Sequence, residues 1–303
     1  MNIFNNLIAK FLPFFPKTLV WIFARPYLAG ETLDDAVAKI RELNDQDISA
    51  TLDLLGEDPK KRSDCLAAVN MYQKAVDRIT EHHLNSGISL KPSHMGLKLD
   101  KSFCYDNIRD VVIHAGAQNI FVRIDMEDTS LKNDTIDLFL RLKKEFDNIG
   151  IVIQAYLRSS ILDIRQMIEG KANIRLCKGA YFWESKKNVY TDMAIINSSY
   201  AYLLEELLSH QCFTGIATHD EKLVFEAMKI IDRLGLKKEA YEFQMLYGVE
   251  EELRSIIHDQ GYPIRVYVPF GKEWLAYSIR RLKENPKMVS YIISNSLKKL
   301  IKR

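Results

Sequence analysis

Arg280 and Arg281 stand side by side in RVYVPFGKEWLAYSIRRLKENP, residues 265 to 286. Adjacent guanidinium groups can hold a carboxylate or a phosphate through planar, two-pronged hydrogen bonds. The stretch reads as a strand, a Pro-Phe-Gly turn and a helix that ends before Asn285-Pro286, because a residue preceding proline is pushed out of helical geometry. On a helical wheel Leu275, Ile279 and Leu282 form one apolar stripe, while Trp274, Tyr277, Arg280, Arg281 and Glu284 gather opposite. That opposite face suits an anion clamp. A solvated basic surface is the other reading, and the helix alone does not choose between them.

Upstream, strand-like runs recur at intervals of about thirty residues, each followed by a helical pattern. They are ISATLD from 48, ISLK from 88, IFVRID from 120, IVIQAY from 151, IRLCK from 174, GIAT from 215, YEFQML from 241 and IRVYV from 264. Eight alternating units predict an α/β fold, a (β/α)8 TIM-like barrel. An open doubly wound sheet competes with it, but no GxGxxG follows the first strand. The expected organisation is an N-terminal helical arm over 1–45 and a barrel over 46–303.

Strand alternation assigns the inward faces. Asp53, Ser89, Lys91, Arg123, Asp125, Gln154, Arg175, Thr218, Glu242, Gln244, Arg265 and Tyr267 fall on the face opposite the apolar residues of their strands. The apolar faces must pack against the outer helices, so the lumen is predicted to be polar. Burying that much charge requires ion pairs or a ligand. A structural ion-pair network accounts for part of it. Lys91, Asp125, Gln154, Arg175, Thr218 and Gln244 lie near the carboxyl ends of their strands, where barrel enzymes keep their sites.

The chain has 303 residues, 47% of them hydrophobic and 27% charged, with a formal charge of +2. That charge gives no field suited to nucleic acid. Cys65, Cys104, Cys177 and Cys212 form no metal or disulfide spacing, which points to a reducing, cytoplasmic compartment and to no bound metal. Residues 11–24 are apolar and aromatic but carry two prolines and a lysine and are too short to span a bilayer. They read as a docking segment, compatible with peripheral contact to the inner face of a membrane through residues 1–28.

After the fifth strand, IRLCKGAYFWE places Lys178 and Gly179 where the chain turns outward, suited to a phosphate or an electron-rich ring. Taken together, IRLCKGAY, Gln154-Ala155-Tyr156, ATHD at 217–220, YEFQMLYGV and YVPFGKEWLAYSIRRLKEN resemble the proline dehydrogenase family in order and in place. The similarity runs from Thr51-Leu-Asp-Leu-Leu-Gly-Glu57 to Asn285. It implies a distorted barrel that holds FAD non-covalently, with the final helix over its mouth. It also implies oxidation of L-proline to 1-pyrroline-5-carboxylate by hydride transfer to the flavin, with electrons passed to a quinone.

The resemblance assigns roles to residues. Arg280 and Arg281 would clamp the proline carboxylate, assisted by Lys91, with Tyr267 and Tyr277 bordering the ring. Asp125 and Arg175 match catalytic positions. Met126, Gln154, Arg175, Lys178, Gly179, Ala180, Tyr181, Thr218, His219, Gln244 and Glu284 match cofactor-binding positions, and Glu57 matches a gating carboxylate. Two residues depart from the pattern: Asp220, where the family often has asparagine, and Phe182, where some members have tryptophan. A flavin barrel acting on another small amino or folate substrate, a Schiff-base aldolase using Lys91 or Lys178, and a silent barrel kept as a scaffold are the competing readings. The intact set of lumen charges and arginines weighs against the last two.

Overall fold

In the computed structural model residues 20, 21, 24–179 and 184–284 are described, with side chains as far as Ile279. Eight strands close a barrel in sequence order: β1 (Ser49–Leu54), β2 (Ser86–Leu90), β3 (Val122–Ile124), β4 (Ile149–Gln154), β5 (Asn173–Cys177), β6 (Thr214–Ala217), β7 (Tyr241–Leu246) and β8 (Ile264–Phe270). All neighbouring pairs are parallel, including the closing pair that sets Ser49 opposite Arg265. The helices are α1 (Leu33–Asn44), α2 (Arg62–Glu81), α3 (Lys101–Gly116), α4 (Lys132–Lys143), α5 (Ser160–Glu169), α6 (Met193–Ser209), α7 (Glu221–Arg233), α8 (Glu251–Asp259) and α9 (Trp274–Glu284). The (β/α)8 barrel expected from the alternating pattern is the observed architecture.

Local chemistry fixes where several of the helices start. Thr32 and Asp35 form a reciprocal capping box on α1, and Asp100, Asp192 and Asp220 cap α3, α6 and α7 by accepting backbone N–H groups. Each cap satisfies donors that a helix cannot satisfy itself. The core lies between sheet and helices, with Leu52, Ile88, Ile124, Ile151, Leu176, Ile216, Phe243 and Val266 almost fully buried. Ala36, Val37, Ile40 and Leu43 of α1 join the same cluster.

Pro269 and Phe270 were expected in a turn and instead continue β8. The strand survives the missing N–H because the carbonyls still bond: Ala29 N–H donates to Pro269 O at 2.9 Å and Leu55 N–H to Phe270 O at 2.8 Å. The turn falls at Gly271, whose φ of +125° favours glycine.

The lumen is polar, as alternation predicts, and its lower part is plugged by hydrogen-bonded polar side chains that include one ion pair. Arg265 Nε and Gln244 Nε2 both donate to Glu242 Oε1 at 2.7 Å, and Arg265 Nη1 donates to Ala50 O at 2.6 Å. Arg123 donates to Ile151 O and Asn173 O at 3.1 and 2.7 Å. Long side chains fit because glycines face them. A Cβ on Gly150 would lie 2.4 Å from Arg123 Nη1, and one on Gly215 would lie 2.3 Å from Gln244 Nε2. No helix among the described residues is long and apolar enough to cross a membrane.

Removing Glu242 would leave Arg265 without its carboxylate in a mostly buried site. Glu242→Ala is expected to lower unfolding stability by about 3 kcal/mol, with a smaller loss for Glu242→Gln, as read from urea midpoints.

Candidate active site

A cavity of about 750 Å3 opens at the carboxyl end of the barrel, within the range of small-molecule sites. It is lined by Lys91, Asp125, Met126, Gln154, Arg175, Lys178, Gly179, Thr218, His219, Gln244, Tyr267 and Tyr277, twelve of the residues singled out from sequence. Glu57 sits exposed on the loop after β1. Ala180 and Tyr181 lie outside the described residues, as do the side chains of Arg280, Arg281 and Glu284, whose backbone belongs to α9.

At the centre, Arg175 Nη1 donates to Asp125 Oδ1 at 2.9 Å and to Ser89 Oγ at 3.2 Å, while Nε donates to Gln244 Oε1. Its guanidinium lies 5.1 Å from the centre of the Tyr267 ring. Tyr267 donates to Asp125 Oδ2 at 2.9 Å and Ser89 donates to Asp125 Oδ1 at 2.7 Å, so both oxygens of that carboxylate are engaged. Every polar group of this cluster thereby orients another, which fixes the cation beneath the cavity.

Beside it, Lys91 Nζ donates to both oxygens of Asp53 at 2.7 and 2.9 Å. Burial pushes the Asp53 carboxyl up to about 6, with the Asp125 charge adding to the rise and Lys91 opposing it. Burial pulls the other way on Lys91, but Asp53, Asp125 and Glu57 outweigh it and hold the ammonium above its ordinary range. The pair is therefore ionic around neutral pH.

The rim has a different character. Lys178 Nζ donates to Asp220 Oδ2 at 2.6 Å, Asn197 Nδ2 donates to the same oxygen at 3.3 Å, and Asp220 Oδ1 caps α7 by accepting from Lys222 N–H at 3.0 Å. Burial would raise the Asp220 carboxyl, but these donors, Lys178 first, hold it below the usual range. The departure from asparagine thus brings its own counter-ion. His219 Nε2 accepts from Leu246 N–H at 2.9 Å, which puts the ring hydrogen on Nδ1. At Gly179, φ is +112° and a Cβ would lie 2.2 Å from Tyr156 Cδ1, so only glycine lets the backbone approach there.

Two features differ from the sequence reading or extend it. Trp274, expected on the arginine face, turns away from the cavity: its Nε1 donates to Glu31 Oε1 at 2.8 Å and its ring lies 4.8 Å from that of Trp21. Among the described side chains of α9, Trp274, Tyr277 and Ser278 are buried, while Leu275 and Ile279 are only half-buried. A large aromatic flank buries more apolar surface than a stripe of three aliphatic residues, and Tyr277 alone of the two aromatics faces the cavity. Glu127 was not foreseen. It lines the cavity, accepts from Ser93 N–H at 2.8 Å and from the Ser93 hydroxyl, and burial pushes it up to about 7. Its signal was its parity with Arg123 and Asp125 along β3, continued past the strand end.

The proline dehydrogenase family profile matches residues 36–293. The chain belongs to the proline dehydrogenase family. Proline dehydrogenase 1 of Bacillus subtilis (strain 168) is 35% identical over 295 residues, covering 97% of this chain and 96% of that protein. The proline dehydrogenase of Deinococcus radiodurans is 31% identical over 284 residues, covering 92% and 91%. Among solved structures, proline utilization A (PutA) from Bdellovibrio bacteriovorus inactivated by N-propargylglycine superposes with a TM-score of 0.81 at 28% identity; the match covers 87% of this chain and 32% of that longer one.

Proline dehydrogenases use a flavin, and the mouth fits one in its donor chemistry. Gln154 Nε2 donates to Met126 O at 3.3 Å, while its Oε1 is buried with no partner among the described residues, an acceptor placed for an N–H in the cavity. Gly179 leaves the backbone bare at the rim, and Lys178 brings positive charge to the rim and Arg175 to the centre.

Behind the mouth, His94 is packed against Gly56, whose Cβ would lie 2.4 Å from His94 Cε1. Burial, with the Lys91 charge adding to it, lowers His94 to about 4 from 6.5. A histidine depressed in the folded state contributes stability above the unfolded value of 6.5 that is lost as pH falls through about 4. Wild type is expected to lose about 3 kcal/mol more than His94→Gln across that window in urea unfolding, and parallel curves would exclude His94 as the cause.

Proposed function

We propose that this chain oxidises L-proline to 1-pyrroline-5-carboxylate, holding FAD non-covalently at the barrel mouth and passing electrons on to a quinone. The observation that carries this reading is the buried Asp125–Arg175 ion pair, held by half-buried Tyr267 and set beside Lys91 under a cavity that Tyr277 also lines. FAD, when bound, supplies the two-electron acceptor that side chains lack.

The residues that would hold it are Met126, Gln154, Arg175, Lys178, Gly179, Ala180, Tyr181, Thr218, His219, Gln244 and Glu284. Arg280 and Arg281 grip the substrate carboxylate with help from Lys91, and Tyr267 and Tyr277 border the pyrrolidine ring, so the substrate is oriented from its charged end. Asp125 fixes Arg175 at the reacting side, and Arg175 stabilises negative charge that develops there. Tyr277, buried on α9, excludes water from the roof. Glu57 on the rim gates entry. The paired arginines favour a small carboxylate over other flavin-barrel substrates. Residues 1–45 act as an arm on the barrel of 46–303, and the apolar run within residues 1–28 supports peripheral contact with a membrane that carries the quinone.

The test is an anaerobic visible spectrum of the purified, flavin-loaded protein before and after L-proline. Bleaching of the flavin band is expected, and a loaded flavin that stays oxidised would exclude proline as substrate. Arg281→Ala should raise the KM for proline ~30-fold or more while flavin content stays near wild type; loss of flavin instead would give that helix a structural role.

A further inference from the structure

Lys91 lines the cavity, but Asp53 does not. Asp53 is fully buried beneath it, 0% exposed, opposite Ser89 in β2 and Pro269 in β8. Two of the three ammonium hydrogens of Lys91 go to the two Asp53 oxygens. No other acceptor engages Nζ among the described residues, so one hydrogen remains for a group in the cavity.

A lysine in this position is not secure as a cation on its own. It is 6% exposed, and burial disfavours its charged form. Arg175 lines the same cavity, and Arg280 and Arg281 stand on α9, whose Tyr277 also lines it. The groups facing Lys91 are Asp53 and Glu57 from β1 and its loop, His94 from the turn after β2, Asp125 and Glu127 from the loop after β3, Arg175 from β5 and Tyr267 from β8, with Tyr72 of α2 buried below. Asp125 is already bound to Arg175, Ser89 and Tyr267. Asp53 is the carboxylate committed to Lys91.

We propose that Asp53 is a positioning residue that keeps Lys91 charged and aims its remaining N–H at the substrate carboxylate, so that the buried pair acts as the third arm of the clamp. This rests on the reading of the mouth as a proline site. It also separates two jobs in the lumen: Asp125 orients the arginine, and Asp53 maintains the ammonium. Without Asp53, burial would pull the Lys91 ammonium down and the arm would lose its charge as pH rises.

The experiment uses flavin-loaded wild type and Asp53→Asn, titrated with cyclopentanecarboxylate, which keeps the ring and carboxylate of proline but has no amine to titrate. Binding is read from the perturbed flavin spectrum between about pH 6.5 and about pH 9, where the probe is ionised throughout. Wild-type affinity should be flat, whereas Asp53→Asn should be within about threefold of it at the acid end and at least about tenfold weaker at the alkaline end. A loss of the same size at every pH, or none, would overturn the proposal. Lys91→Met, which removes the cation itself, should match the alkaline limit of Asp53→Asn; binding as tight as wild type would overturn the proposal even if Asp53→Asn does not fold.

A second readout needs no ligand. Competitive acetylation of Lys91, followed by mass spectrometry near pH 8, should run at least about tenfold faster in Asp53→Asn, because only the neutral amine reacts; equal rates would overturn the proposal. If cyclopentanecarboxylate fails to bind wild type while this labelling difference appears, the proline reading falls and the charge-keeping role of Asp53 stands.

Discussion

Every charged group that the barrel buries must find hydrogen-bond partners within it, and most of the lumen follows from that requirement. Arg175 can lie beneath the mouth because Asp125 takes its Nη1 and Gln244 takes its Nε. Asp125 can lie there because Ser89 and Tyr267 donate to it. Gln244 in turn passes its amide to Glu242, whose carboxylate also holds Arg265 at the floor. One connected network therefore runs from the floor of the barrel to the cavity, and its far end, Glu242 and Arg265, lies outside the cavity lining.

Lysine 178 and aspartate 220 show the same economy in a wetter setting. The pair joins the end of β5 to the first turn of α7, and Asp220 serves as counter-ion and helix cap at once. At the rim the ions are partly hydrated, so such a pair can open for an anionic ligand at modest cost. At the centre the Asp53–Lys91 and Asp125–Arg175 pairs are far more enclosed and stay closed. The mouth thus combines a rigid centre with an adjustable edge.

Much of this was legible in the sequence because a strand repeats every two residues and the apolar set was unambiguous. Ile124 against Asp125, or Val266 against Tyr267, is enough to say which side chain enters the lumen. Parity could not say which ions would pair: Asp53 with Lys91 and Asp125 with Arg175 are choices made by register and shear. The last helix misled for a related reason. A helical wheel sorts residues by hydropathy, and Trp274 counts there as a partner of Tyr277, whereas in the fold its indole N–H finds Glu31 and its ring finds Trp21. Glu127 escaped notice because it lies beyond the last residue of β3, in the loop, past the run whose alternation ends at Asp125.

The closing pair of strands brings Ser49 beside Arg265, and Trp274 beyond it reaches back to Trp21. The cavity therefore cannot be complete in a growing chain until its last quarter has left the ribosome. Before then β1 has an open edge on one side, and the Lys91–Asp53 pair lacks the strand that walls it off from water. Assembly of the site is in this sense a late event in the life of the molecule, because it waits for the pairing of β1 with β8, a contact between residues far apart in sequence of the kind that forms slowly.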